Sequence, residues 1–246
     1  MFLYLPKVKY LMIGQIKQEL KSLANEGKSK AMQRFFRTGK GEYAEGDVFL
    51  GLTSQQIKDV AKRYPHLGKE DITLLLNSPI HEERICALRI MMGQYKKARK
   101  DRKKRIEIFD VYVKNMKSIN NWDLVDISAP HIVGDFLQGE NDGFLLRMAQ
   151  SENMWERRIA IVSTYSFIRK NNFGETLVIA EMLIKDEQDL IHKATGWMLR
   201  EVGKRNKKVL ELFLMQRYKD MPRTMLRYAI EKFPEEERKK YLRGEI

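Results

Sequence analysis

Residues 118–134 read SINNWDLVDISAPHIVG, and the periodicity of this stretch decides the fold. Trp122, Val125, Ala129 and Ile132 recur at steps of three and four residues, which places them on one face of a helix. Asn120 or Asn121 stands where an N-cap belongs. Asp123 falls in the first turn, where the helix dipole favours a carboxylate. Pro130 predicts a bend or an end, dividing the stretch into two short segments. Trp122 and Asp126 are four residues apart, so an indole and a carboxylate share a face and can meet one ligand.

The same pattern recurs outward from this helix. Ala87 in ERICALRI, Val125, Ala160 in RRIAIVS, Ala194 in HKATGWML and Ala229 in LRYAIEKF align at steps of 38, 35, 34 and 35 residues. Each aligned residue is small or β-branched, as suits a helix packed closely on its neighbours. The spacing is that of one helix–turn–helix unit, and segments 106–117, 143–150, 175–185 and 207–217 supply the partner helices. The predicted fold is therefore all-α: a right-handed α-solenoid of HEAT-like repeats with a concave basic face. Residues 15–246 form one domain in this reading, preceded by an extension over residues 1–14; Met12 is an alternative start to Met1.

Upstream, residues 15–37 predict two helical segments broken near Gly27. Thr53 and Gln56 form a capping box that opens a helix through Arg63, stopped before Pro65. Residues 69–77 and 80–95 read as a helix pair divided at Pro79. The glycine-rich loop TGKGEYAEGD (38–47) lacks the spacing of a phosphate loop.

Composition sets the class of partner. Hydrophobic residues at 43% and charged residues at 32% describe a globular protein, and 15 Gly with 6 Pro are too few for the tight turns of an all-β fold. A formal net charge of +13 points to a polyanion, most simply nucleic acid. The run KKARKDRKKR (96–105) holds eight basic residues in ten, and Arg200, Lys204, Arg205, Lys207 and Lys208 form a second cluster. Each reads either as a solvated loop or as a rim that tracks phosphates. Cys86 is the single cysteine and reads as a small buried hydrophobe. The four histidines show no ligand spacing, so no metal is expected. No apolar run approaches the ~20 residues that span a bilayer, and the expected location is the cytoplasm.

Asp126 stands out against the repeat. The position after the aligned residue is Leu88, Ile161, Thr195 or Ile230 in the other units, and aspartate only here. A one-residue phase shift would put Asp126 in solvent. The other reading is a carboxylate held on the inner face for chemistry, because burying an unpaired charge is costly. The three tryptophans, Trp122, Trp155 and Trp197, fall in successive units, where they either pack the core or line one surface. Core packing fits Trp155 best.

NWDLVD, the WERR of MWERRIA, and GWMLREVGK, in this order, resemble the bacterial DNA alkylation repair glycosylases of the AlkD type, over about residues 15–235. The resemblance implies an all-helical solenoid that cups duplex DNA and hydrolyses the N-glycosidic bond of cationic alkylated purines, chiefly N3-methyladenine and N7-methylguanine. It places the family's catalytic aspartate on Asp126, its paired tryptophan on Trp122, its arginine on Arg158 and its second tryptophan on Trp197. An early-helix aromatic matches Phe35 more loosely. Arg157, Lys193, Arg200 and Lys204 are the further residues expected at DNA. The resemblance also implies no cofactor, a monomer, and catalysis without base flipping. The readings left beside it are a non-catalytic DNA-binding solenoid and a helical scaffold for acidic proteins.

Overall fold

The computed structural model describes residues 11–139 and 143–246. Most of the expected extension, residues 1–10, lies outside them, and residues 11–14 belong to the first helix. The chain divides into two compact units, one ending at Leu124 and one running from Val125 to Ile246.

The first unit contains α1 (Leu11–Ser22), α2 (Glu26–Phe35), α3 (Ser54–Arg63), α4 (Lys69–Leu76), α5 (His81–Lys97), α6 (Arg102–Lys114) and the start of α7 (Trp122–Ser128). The break between α1 and α2 falls ahead of Gly27, because Asn25 accepts the Lys28 N–H at 2.9 Å and caps α2, leaving Gly27 inside the helix. A single glycine weakens a helix by only about 1 kcal/mol, so a side-chain cap outranks it as a boundary. The capping box forms as expected: Gln56 N–H donates to Thr53 Oγ1 at 3.3 Å and Thr53 N–H to Gln56 Oε1 at 2.8 Å. The helix it opens ends at Arg63. The core is carried by α5, which packs on α3, α4 and α6 and buries Cys86, Ala87, Leu88 and Met91. Burial pushes the Cys86 thiol up to about 12, so it stays protonated and unreactive.

The second unit continues with a π-helical turn (Pro130–Gly134), α8 (Phe144–Ala149), α9 (Met154–Ser163), α10 (Tyr165–Ile168), α11 (Gly174–Met182), α12 (Asp189–Arg205), α13 (Lys207–Arg217), α14 (Arg223–Ala229) and α15 (Glu235–Arg243). Here the repeat is visible as packing. Helix α9 lies on α12 and α12 on α14, while α8 packs on α9, and α11 and α13 pack on α12. All five aligned residues, Ala87, Val125, Ala160, Ala194 and Ala229, are at most 1% exposed. Their small side chains are what let successive helices approach.

Gly196 marks a close approach between α12 and α14. A Cβ there would stand 2.4 Å from the Met225 carbonyl oxygen and 2.6 Å from Tyr228 Cβ, so α12 rests on α14 backbone to side chain. Gly196→Ala must push the two helices apart. The expected cost is about 1–3 kcal/mol, read as a Tm lowered by roughly 2–12 °C in a thermal melt. An unchanged Tm would mean that the two helices are not held in this register.

Candidate active site

Helix α7 carries two of the expected residues. Its cap is Asn121, whose Oδ1 accepts the Trp122 N–H at 2.8 Å. It ends before Pro130, and Gly134 N–H then reaches Ala129 O at 2.9 Å, an i to i−5 bond that opens the chain into a π-turn. That turn is held close to α9, since a Cβ on Gly134 would meet the Ser163 carbonyl oxygen at 2.1 Å.

In the second unit, Asp126 does not face bulk water. Arg158 on α9 grips it as a fork: Nε donates to Oδ1 at 3.0 Å and Nη2 to Oδ2 at 2.8 Å. The Arg158 side chain is 6% exposed and that of Asp126 20%, so the carboxylate can still be reached from outside. Arg158 also donates through Nη1 to the Leu190 carbonyl, which fixes the guanidinium from a third direction. Two donors in one rigid fork set the carboxylate's orientation as well as its charge environment. The equivalent positions Leu88, Ile161, Thr195 and Ile230 are all fully buried, so an aspartate here sits at a core position, held by an arginine fork.

The neighbouring Arg157 is committed elsewhere. It holds Asp186 through Nε at 2.6 Å and Nη2 at 3.2 Å, and donates through Nη1 to the carbonyls of Ser151 and Glu152 at 2.9 Å. Asp186 in turn accepts the Gln188 N–H at 2.9 Å, so this arginine ties down the turn before α12. Trp155 is buried core, as expected, in the first turn of α9. Trp197 is half-buried beside Tyr165, ring centroids 6.3 Å apart. Lys193 pairs with Asp189 at 2.7 Å, Lys204 with Glu201 at 2.7 Å, and Arg200 with Glu231 and Glu201.

In the first unit, Trp122 is half-buried against an aromatic column. Its indole stacks on Phe36 at 5.1 Å and 13°, Phe36 on Phe49 at 4.9 Å and 22°, and Phe49 on His81 at 4.4 Å and 26°. Phe35, 67% exposed at the end of α2, meets the Trp122 ring edge-on at 5.9 Å.

Beneath the column lies a buried polar cluster that sequence reading missed. His81, Glu82, Glu83 and Arg84, the first turn of α5, are each at most 4% exposed. His81 Nε2 bonds Asp123 Oδ2 at 2.8 Å and Nδ1 faces Asp47 Oδ2 at 3.2 Å; Arg84 Nη2 pairs with Asp47 Oδ1 at 2.5 Å. Glu82 accepts the N–H groups of Leu50, Gly51 and Leu52 at 2.9, 2.8 and 3.2 Å. The glycine-rich loop is likewise self-satisfied. Glu42 takes the Gly39 N–H and Glu45 the Gly41 N–H, both at 2.8 Å, so amides that a phosphate would need are already occupied.

Charge shifts follow from these contacts. Burial pulls the His81 imidazole down, but hydrogen bonds to Asp123 and Asp47 outweigh it and hold it above the ordinary 6.5. Burial likewise lifts the Asp47 carboxyl, and the bonds and charges of His81 and Arg84 bring it below the ordinary 3.8. A raised imidazole contributes stability that is full below the unfolded value of 6.5 and is lost as pH rises through the folded value. The Tm advantage of wild type over His81→Gln is therefore expected to shrink as pH rises above the ordinary 6.5, measured by melting both proteins across a pH series. A constant gap would remove the charged imidazole from the account.

Among the described residues no group of acidic, histidine or cysteine side chains is arranged to hold a metal ion, and no helix is long and apolar enough to cross a membrane. The family model described as "DNA alkylation repair enzyme" matches residues 16–233. A solved structure described as a predicted DNA alkylation repair enzyme from Enterococcus faecalis superposes with a TM-score of 0.65 at 16% identity, covering 86% of this chain and 97% of that one. The X-ray crystal structure of AlkD2 from Streptococcus mutans superposes with a TM-score of 0.54 at 15% identity, covering 92% and 99%. At these identities the likeness is one of fold. A search of curated proteins finds no match.

Proposed function

The chain belongs to the family of DNA alkylation repair enzymes, and from that premise we propose that it is a monofunctional glycosylase releasing cationic alkylated purines from duplex DNA. The observation that carries the proposal is the Asp126–Arg158 fork, which places a fixed carboxylate at a repeat position that is otherwise uncharged. Methylation at N3 or N7 makes the purine a cationic leaving group, so its departure needs no general acid. The C1′–N9 bond breaks and its electron pair leaves with the base. Positive charge then builds on the sugar as in glycoside hydrolysis. Asp126 is the anion that faces this charge and takes a proton from the attacking water.

Trp122, one helical turn before Asp126, offers a π-face to the developing cation, and Trp197 is assigned the same role. Such contacts are worth about 0.5–2 kcal/mol each where water is excluded. Arg158 keeps the carboxylate oriented. Phe35, with its exposed ring, is assigned to the DNA surface, together with Lys193, Arg200 and Lys204. Arg157, occupied by Asp186, is assigned a structural role instead. The exposed turn between α5 and α6 and the helix ends flanking it, with Lys96, Lys97, Arg99, Lys100 and Lys103, add positive charge for phosphate contact. Bases stay in the helix in this reading, the enzyme acts as a monomer, and no cofactor takes part.

The test is direct. Wild-type protein incubated with methylated duplex DNA should free N3-methyladenine and N7-methylguanine and leave abasic sites that break only on later alkaline heating. Salt-dependent duplex binding without base release would overturn the proposal in favour of a non-catalytic DNA-binding protein.

A further inference from the structure

Trp122 is held by its neighbours on both sides. Asn120 Oδ1 accepts from Arg84 at 2.5 Å, Asn121 Nδ2 donates to Asp47 Oδ2 at 3.3 Å, and Asp123 Oδ2 binds His81 Nε2 at 2.8 Å. Residues 120, 121 and 123 are thus tied to one buried cluster, and residue 122 is left to present its ring. His81 is the member of that cluster that reaches the ring twice. Its Nε2 anchors Asp123, next to Trp122, and its own ring starts the column His81–Phe49–Phe36–Trp122.

We propose that His81 is a positioning residue for Trp122, fixing the indole through the hydrogen bond to Asp123 from one side and through the Phe49–Phe36 stack from the other. At 1% exposure His81 does not touch DNA, so its influence on the reaction is indirect. Buried ionic clusters often return little net stability over an apolar core of the same volume. What a cluster of directed bonds adds is a single arrangement of the segment it grips. The charged groups around His81 are Asp47 from the loop before α3, Arg84 from its own helix and Asp123 from α7, so each element packed on it contributes one. The inference rests on the reading that Trp122 faces the reacting nucleotide.

The experiment is a double-mutant cycle on single-turnover release of N7-methylguanine, using full-length protein and saturating DNA. Trp122→Ala, Asp123→Ala and the double variant are compared with Asp123→Asn, which keeps an acceptor oxygen for His81. Asp123→Ala is expected to slow release roughly ten- to hundredfold, with affinity for undamaged duplex within about twofold of wild type. Asp123→Asn should recover most of the rate, and the double variant should be no slower than Trp122→Ala alone, because both act through one ring. If Asp123→Ala fails to fold, His81→Gln takes its place in the same cycle.

Losses that multiply in the double variant would overturn the proposal. So would a slow Trp122→Ala beside an Asp123→Ala at wild-type rate, which leaves the reading of Trp122 intact. A wild-type rate for Trp122→Ala would instead defeat that reading and, with it, the positioning role.

Discussion

Asp126→Asn is expected to slow release of N7-methylguanine from alkylated DNA by about 10²–10³-fold, the range found when one preorganised charge-stabilising group is removed from an active site. The change is nearly isosteric. Asn keeps one oxygen to accept from Arg158 and loses the negative charge that, in the proposed reaction, would face the sugar. Melting temperature and duplex affinity therefore separate a chemical effect from a folding one, and both should change far less than the rate. Equal rates for Asn and Asp would remove the carboxylate from the mechanism. A large drop in affinity with an unchanged single-turnover rate would move Asp126 from chemistry to binding.

The largest stability effect is expected at Glu82. Its carboxylate accepts three consecutive backbone N–H groups, Leu50, Gly51 and Leu52, at 2.8–3.2 Å. Glu82→Ala strands these donors, two of them (Gly51 and Leu52) buried, at about 1–3 kcal/mol for each buried one, so the loss should be at least about 2 kcal/mol. For a chain of this length that is a Tm lowered by at least about 4 °C. Gly51 lies between the other two at φ +84°, with room for a Cβ refused by the Asn25 carbonyl at 2.3 Å, so the loop has no easy alternative path. The same loop carries Asp47 and Phe49, and base release should fall with it. Calorimetry of the two proteins decides the point. A Tm shift below about 2 °C would show that the loop finds other partners.

Much of the helical framework was legible in the chain. The capping box at Thr53 and Gln56, the stop before Pro65 and the partition at Pro79 are local rules, acting over three or four residues, and each formed as read. The repeat was legible because close helix packing demands a small side chain at one place per unit, and Ala87, Val125, Ala160, Ala194 and Ala229 are those places. Against it Asp126 stood out as the one carboxylate.

The break near Gly27 fell where it was read, and the group that sets it is the Asn25 cap two residues earlier. Tertiary structure alone decided the fate of the charges. HEER at the start of α5 has the polarity of a solvated helix end, yet all four side chains are buried, since their partners come from Asp47, Leu50, Lys17 and Asn120, distant in sequence. The two arginines of WERR look alike in one dimension; one step along α9 turns the first towards Asp186 and the second towards Asp126. Periodicity specifies which face of a helix is buried, because that depends on residues a turn apart. Which charge meets which depends on groups brought together by the folded chain, and that information is carried by no short stretch of it.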